Sequence, residues 1–96
     1  MRTMARVSIP AEAGNKAIKD GSLPKVMQQV AERWHPEAMY FTTFDGRRTA
    51  FIVFDMADPS DIPGFAEPLF MGMDAEVQFA PVMTGDDLQK GLSQLV

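Results

Sequence analysis

The stretch from Glu37 to Met56 limits what this chain can fold into more than any other. Two runs rich in aromatic and β-branched residues flank Asp45-Gly46, a pair suited to the two positive φ angles of a type I′ turn, so the segment is expected to form a β-hairpin. A two-residue loop fixes the register. Phe44 then faces Arg47, Thr42 faces Thr49, Tyr40 faces Phe51 and Ala38 faces Val53, while the opposite face carries Met39, Phe41, Thr43, Arg48, Ala50, Ile52 and Phe54. Both faces are apolar, whereas a sheet covered on one side only alternates between apolar and polar. One face is expected to pack on helices; the other needs a different cover. Leaving several such side chains in water forgoes about 1.5–3 kcal/mol each and makes a patch that soluble monomers rarely carry. The simplest cover is a second copy of the chain, because two-fold dimers are the commonest oligomers.

The flanking segments supply the remaining elements. Thr3 to Ile9 alternates until Pro10 ends it, which predicts a first strand. Ala13, Ala17 and Ile18 have helical spacing, so the stretch from Ala11 to Gly21 is either a short helix or an early turn of the next one, with a break at Gly21. Leu23, Val26, Met27, Val30, Ala31 and Trp34 form an amphipathic stripe, with Ser22 as the expected cap, Pro24 in the first turn and His35-Pro36 as the stop. A second helix is expected from Asp58 as cap through Ile62, Phe65, Ala66, Leu69, Phe70 and Met73. Pro68 should bend it or end it early, since an interior proline costs about 3 kcal/mol. Ala75 to Val82 alternates as a fourth strand, and Thr84 with Asp87 resembles a capping box that opens a short closing helix with Leu88, Leu92 and Leu95 on one side.

The order β-α-β-β-α-β predicts a ferredoxin-like α+β unit, an antiparallel sheet with both helices on one face, and 96 residues fit it as a single domain over 1–96. A formal charge of -4 disfavours nucleic acid and anionic membranes. The absence of cysteine removes disulfides, thiolate metal sites and thiol nucleophiles, and suits a reducing cytoplasm. No stretch has the length of a signal-peptide core or a spanning helix. Neither a glycine-rich phosphate loop nor a paired-histidine metal motif is present, so no cofactor or metal is expected.

His35 is the only histidine and therefore the first candidate for acid–base chemistry, although a histidine at a helix end also meets the last carbonyls and the negative end of the dipole. Tyr40, the only tyrosine, is either a structural hydroxyl or a donor pointing into a cavity. Glu67 precedes Pro68, where a kinked helix would free a carbonyl beside a carboxylate. These three are the candidate catalytic residues. Arg6, Glu76 and Gln78 share one alternation class on neighbouring strands, as a polar pocket lining or an interface salt bridge. Together with Arg48 they are the candidate ligand-binding residues, although the Arg47-Arg48 pair also suits a solvated face. Asn15, Lys16 and Lys19 with Asp20-Gly21 form either an anion-binding entrance or a solvated helix face.

The hairpin from Glu37-Ala38-Met39-Tyr40-Phe41 to Phe54, then Glu67-Pro68-Leu69-Phe70, then Pro81-Val82-Met83 leading into Asp86-Asp87-Leu88, resembles the dimeric α+β barrel superfamily, and within it a group of small bacterial proteins of unassigned activity. The resemblance implies two sheets packed into a barrel, with a ligand cavity between each sheet and its helices or loops. Members include small monooxygenases, muconolactone isomerases and haem-degrading enzymes, so the fold does not fix the function. Asn15, Trp34 and His35 do not reproduce the arrangement expected of the haem-degrading members. The expected function is homodimeric binding of a small apolar or aromatic molecule. The alternatives are a cofactor-independent monooxygenase or isomerase using His35, Tyr40 and Glu67, and a structural or regulatory interaction module.

Overall fold

Strands β1 (Arg2–Ile9) and β3 (Arg47–Asp55) pair antiparallel at the centre of a four-stranded sheet, with β2 (Ala38–Phe44) outside β3 and β4 (Glu76–Pro81) outside β1. All three neighbour pairs are antiparallel, in the order β2-β3-β1-β4. The remaining elements are the helices α1 (Ala11–Lys19), α2 (Ser22–Trp34), α3 (Asp61–Met73) and α4 (Gly85–Ser93). This is an α+β fold, given by a computed structural model that describes residues 1–95.

The hairpin has the expected register throughout, from Phe44 opposite Arg47 to Ala38 opposite Val53. Asp45 at φ 52° and Gly46 at φ 74° make the turn. On the helix-facing side, Ala5, Val7 and Ile9 of β1 join Ala50, Ile52 and Phe54 of β3 in one buried cluster with Ala17, Val30, Phe65, Leu69 and Met73 from the first three helices. Phe54 and Phe65 stack with centroids 4.6 Å apart, and Trp34 meets each of them at 5.7 Å. Such aromatic contacts add about 0.5–1.5 kcal/mol each to the burial itself.

Several helix boundaries differ from their local signals. The segment after Pro10 is a separate helix that ends before Gly21, whose φ of 79° only glycine adopts freely. Ser22 does not cap α2; the Asp20 carboxylate accepts its backbone N–H at 2.9 Å instead. Asp58 likewise accepts from Ser60 N–H at 2.9 Å, capping a turn ahead of α3 rather than the helix itself.

At Pro68 the helix does not end early: the proline lies inside α3, which continues to Met73 as the apolar spacing predicts. Proline has no N–H to give the carbonyl four residues back, that of Gly64. A side chain from another helix supplies a donor: Arg33 Nη1 lies 3.4 Å from the Gly64 oxygen. Glycine makes the approach possible, because a Cβ there would stand 2.8 Å from Arg33 Nη2. Burial of Leu69 and Met73 beyond the proline holds the last turns to the core.

Helix α4 stands apart from this core. Its capping box is complete, with Thr84 Oγ1 accepting from Asp87 N–H at 3.1 Å and Asp87 Oδ2 from Thr84 N–H at 3.0 Å. Yet it buries no residue, leaving Leu88 and Leu92 about half exposed. The radius of gyration is 15.1 Å, against about 12.5 Å for a compact chain of this length.

Two outcomes follow from these local structures. Pro68→Ala restores the missing backbone bond at an exposed position while loosening the unfolded chain by up to about 1 kcal/mol. A net gain of about 2 kcal/mol is therefore expected, measured as a higher urea midpoint at unchanged slope. For α4, the Thr84 backbone N–H, with the Thr84 hydroxyl adding to it, holds the Asp87 carboxyl below the usual carboxylate range. The folded value lies under the unfolded one, so the cap contributes fully above about pH 4 and is lost as the pH falls through the depressed value. Cα chemical shifts of Gly85 to Leu88 should stay helical from neutrality to about pH 4 and move toward coil below it.

Candidate functional site

Two surfaces gather the chemically capable side chains, one on each face of the sheet. On the face away from the helices, β1 and β4 bring Arg6 opposite Gln78, and the Arg6 guanidinium donates to the Gln78 side-chain oxygen. The same guanidinium lies 4.9 Å from the centroid of the Phe44 ring, which in turn meets Phe51 edge to face at 5.6 Å. Glu76, expected with these two, instead accepts from Arg47 Nη1 at 3.3 Å. Met4, Phe51 and Val53 are half-buried around them, and Tyr40 is 70% exposed. None of the described helices covers this face, which carries an apolar and aromatic patch around Arg6 and, beyond it, the polar side chains Ser8, Thr42, Thr49, Gln78 and the Arg47–Glu76 pair.

On the helix-facing side, α2 does not extend over the whole of β2. A cleft of about 300 Å³ opens between the start of α2 and the hairpin. Ile9, Leu23, Met27, Phe41 and Ala50 line it, together with Thr42, Thr49 and its one charged residue, Arg48; the surface it presents is almost wholly apolar. Leu23 and Met27 pack against the core but leave Phe41 61% exposed.

Arg48 is held in place from behind. Its Nη2 donates to Asn15 Oδ1 at 2.9 Å and its Nη1 to the Ala11 carbonyl at 3.3 Å, both on α1. Gly14 lies buried beneath it, and a Cβ at that position would come within 2.5 Å of Nη1. Glycine inside a helix costs roughly 0.5–1 kcal/mol relative to alanine. Here it leaves the space in which the guanidinium sits.

Three other clefts follow helix seams. One between α2 and α3, about 410 Å³, includes Arg33, Trp34 and Pro68; one between α1 and the end of α3 mixes charged residues with Ala13, Ala17, Met71 and Met73; and one along α1 is lined by charged and polar residues. An apolar lining with few placed polar groups is the usual form of a small-molecule site, and the cleft beside Arg48 fits that description best.

The three candidate catalytic residues occupy separate places in the chain. His35 ends α2 in the left-handed region at φ 46°, its backbone N–H bonded to Ala31 O at 3.1 Å and its side chain exposed. Tyr40 is on the open sheet face, and Glu67 is exposed on α3. None of the three lines any of these four clefts. Among the described residues no three of His, Asp and Glu are grouped as a metal site, and no helix is long and apolar enough to cross a membrane.

No family model, no curated protein and no solved structure matches the chain. Of the cleft residues, only Arg48 stands out from the sequence alone. Leu23, Met27 and Phe41 have the spacing of ordinary core positions, and Gly14 has no local signal beyond being a glycine within a helical pattern.

Proposed function

We propose that the protein is a homodimer that binds a small apolar or aromatic molecule in the cleft between α2 and the hairpin. The cleft itself carries this reading: an opening of about 300 Å³ with five apolar side chains and one cation has the size and composition of a site for a small ligand. The architecture proposed around it is ferredoxin-like, paired as a dimeric α+β barrel. Support comes from the central β1–β3 pair, the tight β2–β3 hairpin and the packing of α1, α2 and α3 on one sheet face.

The dimer rests on two apolar surfaces that the chain leaves uncovered. One is the open sheet face with Met4, Tyr40, Phe44, Phe51 and Val53; the other is the leucine side of α4. A second copy covers both in one symmetric arrangement, each chain presenting the same patches to the other.

Sedimentation at micromolar concentration is expected to give twice the chain mass. Tyr40→Glu, at a position exposed within one chain, should shift the protein to monomer without loss of circular dichroism. A wild-type monomer at that concentration would refute the pairing. For the cleft, indole at a concentration about 100 times its Kd should add about 2.7 kcal/mol of apparent stability, seen as a rise of several degrees in Tm. Leu23→Trp, which fills the opening, should abolish that rise while leaving the protein folded.

A further inference from the structure

Resting on the binding reading above, we propose that the ligand of the cleft is an apolar or aromatic carboxylate, its anionic end held by Arg48. Arg2 pairs with Glu37 and Arg47 with Glu76, whereas Arg48 has no carboxylate oxygen within 4.0 Å among the described residues. Its two bonds go to neutral oxygens, those of Asn15 and Ala11. A guanidinium carries five N–H donors, which leaves three to serve a ligand.

The setting makes that free charge consequential. Arg48 is half-buried: its aliphatic stem lies beside Ile9 and Ala50 in the cleft wall, while its guanidinium meets Ala11 and Asn15 at the exposed surface of α1, at the edge of the apolar opening. Asn15 and Ala11 fix the fork from the helix side without neutralising it, and the bare backbone at Gly14 lets it lie there. A cation immobilised in advance loses little freedom when an anion arrives, and its planar fork matches the two oxygens of a carboxylate. The apolar walls formed by Leu23, Met27 and Phe41 then take the rest of the molecule.

Among the described residues two other arginines also lack a carboxylate partner, but both are otherwise engaged. Arg33 is exposed, donates to the carbonyl that Pro68 leaves free and lies over Trp34. Arg6 donates to Gln78 and lies over Phe44 on the opposite sheet face. Of the three, Arg48 alone combines neutral partners with an apolar cleft.

The test compares 3-phenylpropanoate with its neutral amide, 3-phenylpropanamide, by calorimetry and by methyl shifts of Ile9, Leu23 and Met27. The wild type should bind the acid about tenfold or more tightly than the amide, the margin of one added charge-assisted hydrogen bond. Arg48→Met keeps the apolar stem and removes the charge; Gly14→Ala keeps the charge and displaces the fork while favouring the helix. Both variants should lose the preference for the acid and still bind the amide. Equal binding of acid and amide by the wild type, or a preference that survives Arg48→Met, would overturn the assignment and leave the apolar cleft standing. A lower Tm in Arg48→Met with the preference intact would reduce Arg48 to a tie between β3 and α1. If neither compound shifts the three methyl groups, the cleft is not a binding site and the assignment falls with it.

Discussion

The antiparallel pairing of β1 with β3 organises the rest of the molecule, because it sets which side chains face the helices. Ala5 stands opposite Ile52 and Val7 opposite Ala50, and all four are buried. The alanines leave room for helices to approach, and the space is taken by Phe54, Phe65, Leu69 and Met73. Side chains alternate with a period of two, so a slip of one residue would turn this whole set toward the open face. The two-residue turn at Asp45-Gly46 helps prevent such a slip by fixing β3 against β2.

Helix placement on that pair leads to two instances of the same device. Gly14 in α1 and Gly64 in α3 each lie under a guanidinium, from Arg48 and Arg33 respectively. A side chain in either place would push the arginine away, so each helix gives up some of its own propensity for a contact with a distant part of the chain. The consequences differ with what the guanidinium meets. Arg33 gives a donor to a carbonyl deprived of its helical partner by Pro68 and so supports the continuation of α3. Among the described residues Arg48 meets only neutral oxygens, and its guanidinium stays charged at the edge of an apolar cleft.

What was legible in the sequence were features set by neighbours along the chain or by strict alternation. The hairpin register, the positive φ angles of its turn and the capping box of α4 all depend on residues a few positions apart. Arg6 and Gln78 were also legible as neighbours, because alternation places them on one face once β1 and β4 pair. Glu76 shares their face, but alternation did not name its partner: the long Arg47 side chain reaches it from β3. Whether α3 would end at Pro68 was left open by the sequence, because its continuation draws on Arg33, 31 residues from the Gly64 carbonyl it serves, and on burial of Leu69 and Met73. The cleft was hidden for a similar reason. It is a gap left where α2 stops covering β2, and no local pattern encodes a gap between two elements.

The open face constrains the proposed dimer more narrowly than its hydrophobic content suggests. Arg6 lies among Met4, Phe44 and Phe51 and, among the described residues, has a neutral hydrogen-bond partner but no carboxylate. Burying that guanidinium in a dry interface would cost several kcal/mol, comparable with the gain from covering two of the neighbouring apolar side chains. A stable pairing must therefore keep water or an acceptor at Arg6 while covering the aromatic groups around it. In a two-fold arrangement every contact is made twice, so a satisfied Arg6 would fix the register of the two sheets, and an unsatisfied one would count against the dimer in both copies.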